Sequence, residues 1–405
     1  MPTDLAQLLH TRKPNHSLPG RFYTDPDAFQ LDLEAVFYKQ WLFAGCTSEV
    51  ENPGQYLTLE IGPTSVIVAR GNDGELRGFH NTCRHRGFRL CENERGQAKS
   101  FVCPYHRWTY RLDGSLAYTP YMPDDFDRAT HGLRPVHVRA MSGQIFVSLA
   151  DTPPDFSHYA ELVTPMLAPH GLEHARVAHR DRMVVHGNWK LMMENSRECY
   201  HCATQHRDLM RTFLDIYDWS DPAAATEIRA FHERCEAAGL LCAIAEGPEF
   251  RASRLPFTHG AISITMDGKP AVARLLGRVP HNDIGSLRWV HYPTVFNHAL
   301  GDYAVMIQML PLDPQRTAVT TTWLVNPEAV EGRDYDLENL TRVWLTTNAE
   351  DGALVERNQR GVNSAGYLPG PYSPALEAGV IKFVDWYCEQ VGHHLAGPRV
   401  ARIAA

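Results

Sequence analysis

Two short stretches, Cys83-Arg84-His85-Arg86-Gly87 and Cys103-Pro104-Tyr105-His106, decide how this chain is read. Together they spell C-x-H-x17-C-x2-H, with seventeen residues between His85 and Cys103. Each stretch offers one thiol and one imidazole. Two Cys on one iron and two His on the other can hold a two-iron, two-sulfide cluster, and exchanging two anionic thiolates for neutral imidazoles raises its reduction potential. The same four donors would satisfy tetrahedral zinc, but structural zinc sites usually pair like ligands, as C-x2-C and H-x3-5-H. A mixed pair on each loop, with Arg86-Gly87 after the first His and Pro104 before the second, favours the cluster.

The surroundings of these loops read as short strands. Residues 55–61, 65–70 and 75–80 alternate apolar and polar side chains, and Asn72-Asp73-Gly74 and Asp113-Gly114 supply turn chemistry. A compact all-β domain over 41–150 is expected, left through Pro153-Pro154. Before it, 27–41 has helical periodicity through Phe29, Leu33, Val36 and Phe37. Residues 1–40 are therefore expected to be a helical segment packing on the later domain.

From 151 to 405 the pattern mixes helices, near 158–167, 188–213 and 224–238, with strands at 261–266, 287–292, 303–310 and 318–325. Asp267-Gly268 reads as a hairpin turn, and a long final helix is expected over 336–360, stopping at Gly361 as a C-cap. Antiparallel strands with helices gathered outside them indicate an α+β domain.

That second region carries its own metal-type residues. Glu198-Cys199-Tyr200-His201 and His206 follow Asn188-Trp189-Lys190 and Glu194-Asn195. Two neutral imidazoles and one carboxylate on one face of Fe(II) leave positions open for dioxygen. Five residues of ideal helix rotate by about 140°, so His201 and His206 point apart unless a π-bulge or helix break lies between them. The plain alternatives are two unrelated surface histidines, or a zinc knot with Cys199 and Cys202. An acidic pair on the late helix, Glu350-Asp351, reads on its own as a solvated face.

Composition narrows the partners. With 405 residues, 44% hydrophobic and 21% charged, the chain suits two globular domains. A net charge of -8 and a pI near 6.2 disfavour nucleic acid and anionic membranes, leaving a small-molecule substrate. No stretch approaches a membrane span or a secretory leader, so a cytoplasmic protein is expected. Nine cysteines at irregular spacing do not suggest a disulfide framework, and a reducing compartment leaves thiols free for metals. Cys91 reads as a buried thiol.

The C-x-H-R-G and C-P-Y-H loops resemble those of the Rieske family, in particular its non-haem iron oxygenase α subunits. Respiratory-type Rieske loops carry an extra Cys in each loop; Gly87 and Tyr105 stand where those are expected, so that bridge should be absent. The resemblance implies an all-β Rieske domain plus an α+β helix-grip-like catalytic domain with an antiparallel sheet. It implies Cys83, His85, Cys103 and His106 as cluster ligands, and His201, His206 and Asp351 as ligands of a mononuclear Fe(2+), with Glu350 the fallback for Asp351. It implies a head-to-tail homotrimer in which Glu198, where most of the family has Asp, bridges His106 of one subunit to His201 of the next. A separate flavin or iron–sulfur reductase would deliver NAD(P)H-derived electrons, since no nucleotide-binding Gly-rich loop is visible.

Finer stretches are similar to the stachydrine and glycine betaine demethylases. They include Arg197-Glu198-Cys199-Tyr200-His201-Cys202, Met266-Asp267-Gly268-Lys269, Trp323-Leu324-Val325 and Pro369-Gly370-Pro371-Tyr372-Ser373. The implied reaction is O2-dependent N-demethylation of a quaternary ammonium betaine with release of formaldehyde. Tyr200, Phe213, Trp289, Tyr292 and Phe296 are candidates for an aromatic cage around the ammonium. The alternatives are an oxygenase acting on an aromatic or other C–H substrate, and a Rieske electron carrier without a catalytic iron.

Overall fold

The computed structural model describes residues 2–213, 222–258 and 260–397. The alternating segments form the strands Gln55–Ile61, Thr64–Arg70 and Leu76–His80, paired as an antiparallel meander. They lie in a seven-stranded sheet completed by Arg95–Gln97 at one edge and by Pro135–Met141, Gln144–Ser148 and Leu42–Cys46 at the other. A three-stranded sheet, Phe101–Val102, Thr109–Tyr110 and Leu116–Tyr118, accompanies it. Ile67, Phe79, Trp108, Tyr110 and Leu116 make a core that also receives Cys83 and Cys103. Each large apolar side chain fully buried there contributes about 1.5–3 kcal/mol.

The second sheet is also seven-stranded and antiparallel, in the order Arg176–Val185, Arg316–Val325, Tyr303–Asp313, Val295–Ala299, Ser286–His291, Phe250–Leu255, Ala245–Glu246. Period-two alternation gives it two faces. Leu287, Trp289, Val295 and Ala299 enter one core, against Phe146, Phe156 and Tyr159. Arg288, Val290, Phe296 and His298 face a cavity on the other side.

The long helix Leu337–Val362 lies on that cavity side, capped by the Asp336 carboxylate, which accepts from the Asn339 N–H at 2.9 Å. Gly352 lets it approach the strand Arg176–Val185: a Cβ there would stand 2.8 Å from Met183 Cε. The N-terminal helices are tied to the same unit through Asp32, fully buried, whose carboxylate accepts from Trp189 Nε1 at 2.8 Å, Tyr387 Oη at 2.7 Å and Lys190 Nζ.

Four local expectations need correction. The 188–213 stretch is not one helix but Trp189–Asn195, an irregular turn, a single turn Cys202–Gln205 and a 3-10 turn Leu209–Arg211. Residues 261–266 form no strand; Ile262 N–H donates to Gly268 C=O at 2.8 Å, and the buried Asp302 carboxylate takes Ser263 Oγ and the Ala271 N–H. Local backbone bonds, from the Ile262 and Ser263 N–H groups to Gly268 C=O, stand there in place of a ladder, and Asp267-Gly268 does turn the chain, with Gly268 at φ 72°. The helix expected to stop at Gly361 runs on to Val362, which is buried, with Asn363 as its C-cap. Nor is it the final helix: Ala378–Ala396 follows, burying Val380, Phe383, Val384, Tyr387 and Val391.

Candidate iron centres

The loop after Leu76–His80 and the loop after Phe101–Val102 have the same backbone plan. Cys83 N–H donates to Phe88 C=O and Gly87 N–H to Cys83 C=O; in the second loop Cys103 N–H donates to Trp108 C=O and Arg107 N–H to Cys103 C=O. The fifth residue of each is left-handed, Gly87 at φ 75° and Arg107 at φ 62°. Cys83 and Cys103 are 2% exposed, and the rings of His85 and His106 stand 4.6 Å apart, with Trp108 stacked on His85 at 4.9 Å. Nδ1 of His85 and Nδ1 of His106 are both buried without a hydrogen-bond partner among the described residues. Two orphaned imidazole nitrogens beside two buried thiols are costly unless they ligate something, so this donor set fits a two-iron cluster. Arg84, Arg86 and Tyr105 at the loop tips are exposed.

In the second region Asn188 caps the helix Trp189–Asn195 by accepting from the Lys190 N–H at 3.0 Å. The chain then unwinds, and His201 and His206 flank the single turn Cys202–Gln205. His206 leaves helical geometry at φ -108°, ψ 67°, and this solves the spacing problem: the helix ends at the second His instead of bulging between the two. Nε2 of His201 lies 3.0 Å from Nε2 of His206, and Asp351 Oδ1 lies 3.2 and 3.1 Å from the same two atoms. The outward nitrogens are occupied by other acids, His201 Nδ1 by Glu198 at 2.5 Å and His206 Nδ1 by Glu350 at 2.8 Å. Burial opposes charge on all three inner groups, yet the two imidazoles hold the Asp351 carboxyl below its usual range, and Asp351 with Glu198 pushes His201 up to about 9. Two imidazoles and one carboxylate facing a common point could hold Fe(II) with open positions.

Cys199 and Cys202 are joined by a disulfide, contrary to the expectation of free thiols, which removes both sulfurs from any zinc knot. Cys91 is buried and free, held by Asn81 Nδ2 donating to its carbonyl at 2.7 Å.

A model of the Rieske [2Fe-2S] domain matches residues 40–137, and one of the ring hydroxylating alpha subunit catalytic domain matches residues 172–393. The chain belongs to the Rieske oxygenase α subunits. The glycine betaine monooxygenase oxygenase subunit of Chromohalobacter salexigens is 46% identical over 95% of this chain and 88% of its own length. That of Pseudomonas aeruginosa is 43% identical over 96% and 92%. The fold is shared with a quaternary ammonium Rieske monooxygenase in complex with gamma-butyrobetaine, at 21% identity and a TM-score of 0.70 over 95% of this chain and 98% of that one. A naphthalene 1,2-dioxygenase from Rhodococcus superposes with a TM-score of 0.70 over 98% of this chain and 100% of that one, at 19% identity. This α subunit therefore uses a Rieske cluster and a mononuclear iron, as a non-haem iron monooxygenase with two antiparallel-sheet domains. No helix among the described residues is long and apolar enough to cross a membrane.

The inner histidines and Asp351 open on a cavity of about 410 Å³. Of the aromatic candidates, Tyr200, Phe213, Tyr292 and Phe296 line it. Trp289 does not: it is fully buried on the opposite face of its strand, its Nε1 donating to Gln144 Oε1 at 3.1 Å. Trp344, which sequence reasoning missed, takes its place, anchored by Nε1 donating to Tyr303 Oη at 3.0 Å. Its signal was available, because Trp344 precedes Asp351 by seven residues and therefore shares its helix face.

Proposed function

We propose that this α subunit is the oxygenase component of a monooxygenase that N-demethylates a quaternary ammonium betaine of the glycine betaine or stachydrine type, releasing formaldehyde. The observation that carries this is a single cavity joining the His201, His206 and Asp351 donor atoms to a wall of aromatic rings and guanidinium groups. A quaternary nitrogen accepts no hydrogen bond and is held best over aromatic faces. The 46% identity to a glycine betaine monooxygenase oxygenase subunit supports the same reading.

In this reading Cys83, His85, Cys103 and His106 hold the two-iron cluster, and His201, His206 and Asp351 hold the lone iron. When bound, these groups supply electrons one at a time and activate dioxygen for insertion into an N-methyl C–H bond. The balance is a substrate methyl, O2, two electrons and two protons giving an N-hydroxymethyl group and water; the C–N bond then breaks to leave the less methylated amine, formaldehyde and a proton. Glu198 and Glu350 keep the His201 and His206 protons on Nδ1, so that both Nε2 lone pairs turn inward. Asp351 supplies the charge that two neutral imidazoles lack.

The outer carboxylate of Glu198 and the exposed cluster tip around His106 suit a head-to-tail trimer, in which Glu198 links His201 to the partner subunit's cluster. Electrons come from a separate NAD(P)H-dependent reductase, and the protein works in the cytoplasm. The convergence of His201, His206 and Asp351 argues against a carrier without catalytic iron. The test is incubation with reductase, NADH and a panel of betaines. Formaldehyde in step with substrate consumed is expected; a hydroxylated product retaining every methyl group would overturn the reading.

A further inference from the structure

The cavity is also lined by two guanidinium groups, of Arg197 and Arg288, that pair with no acid among the described residues. The contrast with their neighbours is informative. Arg251 and Lys382, also on the cavity, both reach Glu246, the former at 3.6 Å. Arg197 and Arg288 lie deep in the domain, partly open to the cavity, and the charges facing Arg288 are those of Arg197 and Arg251. Burial depresses both guanidiniums, each to about 10, so both stay charged at neutral pH. Arg197 rests over the Phe296 ring at 4.9 Å and its Nε donates to Ser196 Oγ at 3.3 Å, yet its Nη2 is buried without a partner among the described residues.

A third donor points the same way. His298 pairs across the sheet with Arg288, and its Nδ1 lies 2.9 Å from Ser286 Oγ. Its Nε2 is buried and has no partner among the described residues. Burial, then the charges of Arg288 and Arg197, keep the ring neutral, and in the tautomer whose Nδ1 accepts from the Ser286 hydroxyl the ring proton sits on Nε2, free to donate. Buried unpaired charges and orphaned donors are each destabilising, and three in one wall make sense when an anion completes them.

We propose that Arg288, assisted by Arg197 Nη2 and His298 Nε2, binds the carboxylate of the substrate and so selects betaines over quaternary ammonium compounds that lack one. This rests on the betaine reading above and names the half of the substrate that aromatic rings cannot recognise. The rings of Trp344 and Phe213, whose centroids lie 4.7 and 6.5 Å from that of His298, stand close enough to the anchor for a short zwitterion to span both.

The test is calorimetric titration of the iron-loaded protein with three probes: glycine betaine, choline and benzoate. Charge-assisted hydrogen bonds of this kind correspond to at least about tenfold in affinity. Wild type is expected to bind glycine betaine at least about tenfold more tightly than choline, and Arg288→Gln to lose that preference by weakening glycine betaine alone; Arg288→Lys should restore part of it. Equal wild-type affinity for glycine betaine and choline, or equal weakening of both in Arg288→Gln, would overturn the proposal. If Arg288→Gln does not retain its visible spectrum and iron, Arg197→Gln is read by the same criteria. A wild type that binds neither ammonium compound but binds benzoate in an Arg288-dependent manner would retire the betaine substrate and keep the anion anchor. Benzoate binding indifferent to Arg288 would retire both.

Discussion

The carboxylate of Glu350 lies 2.8 Å from Nδ1 of His206, while the side chain next to it in sequence, Asp351, meets the opposite nitrogen of the same ring at 3.1 Å. Consecutive acids thus take opposite sides of one imidazole. In the proposed iron site this geometry separates their tasks, with Asp351 as the donor that would face the ion and Glu350 as the acid that orients the ring. Glu350→Gln is expected to keep the iron but bind it about 10–100-fold more weakly, whereas Asp351→Ala should lose it. Iron retention during dialysis against a chelator measures both. Greater loss from the Glu350 variant would reverse the assignment.

Glu198 makes the corresponding contact to His201. If it also carries the link to a neighbouring cluster, Glu198→Gln should retain cluster and iron while oxidation of the reduced cluster slows by about 10–100-fold in single-turnover experiments. An unaltered rate would remove Glu198 from the electron path.

The resemblance between the loops and a known family was legible in the sequence because both cluster loops are contiguous and carry their ligands within five residues. The strands 55–61, 65–70 and 75–80 were legible within a residue or so from period two and the turns between them, because alternate residues enter two different cores, Leu57, Leu59, Val66 and Val68 one and Tyr56, Ile67 and Ala69 the other. What was not legible depends on partners distant in sequence. Residues 261–266 look like a strand until Asp302 takes the Ser263 hydroxyl and the Gly268 carbonyl takes the Ile262 and Ser263 N–H groups. Trp289 looks like a cage residue until the register places Arg288 and Val290 on the cavity face instead. The Arg197, Arg288 and His298 cluster joins a loop and two strands, and no spacing rule connects them.

Asp32 and Lys190 form a fully buried ion pair that joins the N-terminal helices to the helix Trp189–Asn195, just ahead of the proposed iron ligands. Asp32→Ala leaves the Lys190 ammonium without its counter-charge and should cost about 3–5 kcal/mol in urea unfolding. Replacing both, Asp32→Asn with Lys190→Met, is expected to cost less than Asp32→Ala alone. A single-variant loss below about 1 kcal/mol would show that the pair is not holding these elements together.

Burial pushes the Glu194 carboxyl up to about 7, although Tyr23 and Tyr372 donate to it at 2.7 and 2.9 Å. A raised carboxyl means that the folded protein binds more protons than the unfolded chain between the ordinary carboxylate range and neutrality. Its contribution is therefore fully present at low pH and is lost as pH rises from about 4.5 to about 7, by roughly 3 kcal/mol at most. Thermal unfolding of Glu194→Gln should accordingly depend less on pH between about 5 and 8 than wild type does. Parallel profiles would contradict this.

The central claim is that one polypeptide builds two separate iron environments, one from Cys83, His85, Cys103 and His106 and the other from His201, His206 and Asp351. Iron and acid-labile sulfide determination, with the paramagnetic spectrum of the reduced cluster, tests it most directly when wild type is set beside Asp351→Ala and Cys83→Ser. The expected result is about three irons and two sulfides in wild type, two irons with an undisturbed cluster signal in Asp351→Ala, and loss of sulfide and signal in Cys83→Ser. Zinc at the Cys83 loops, or a wild type with the same iron content as Asp351→Ala, would contradict it.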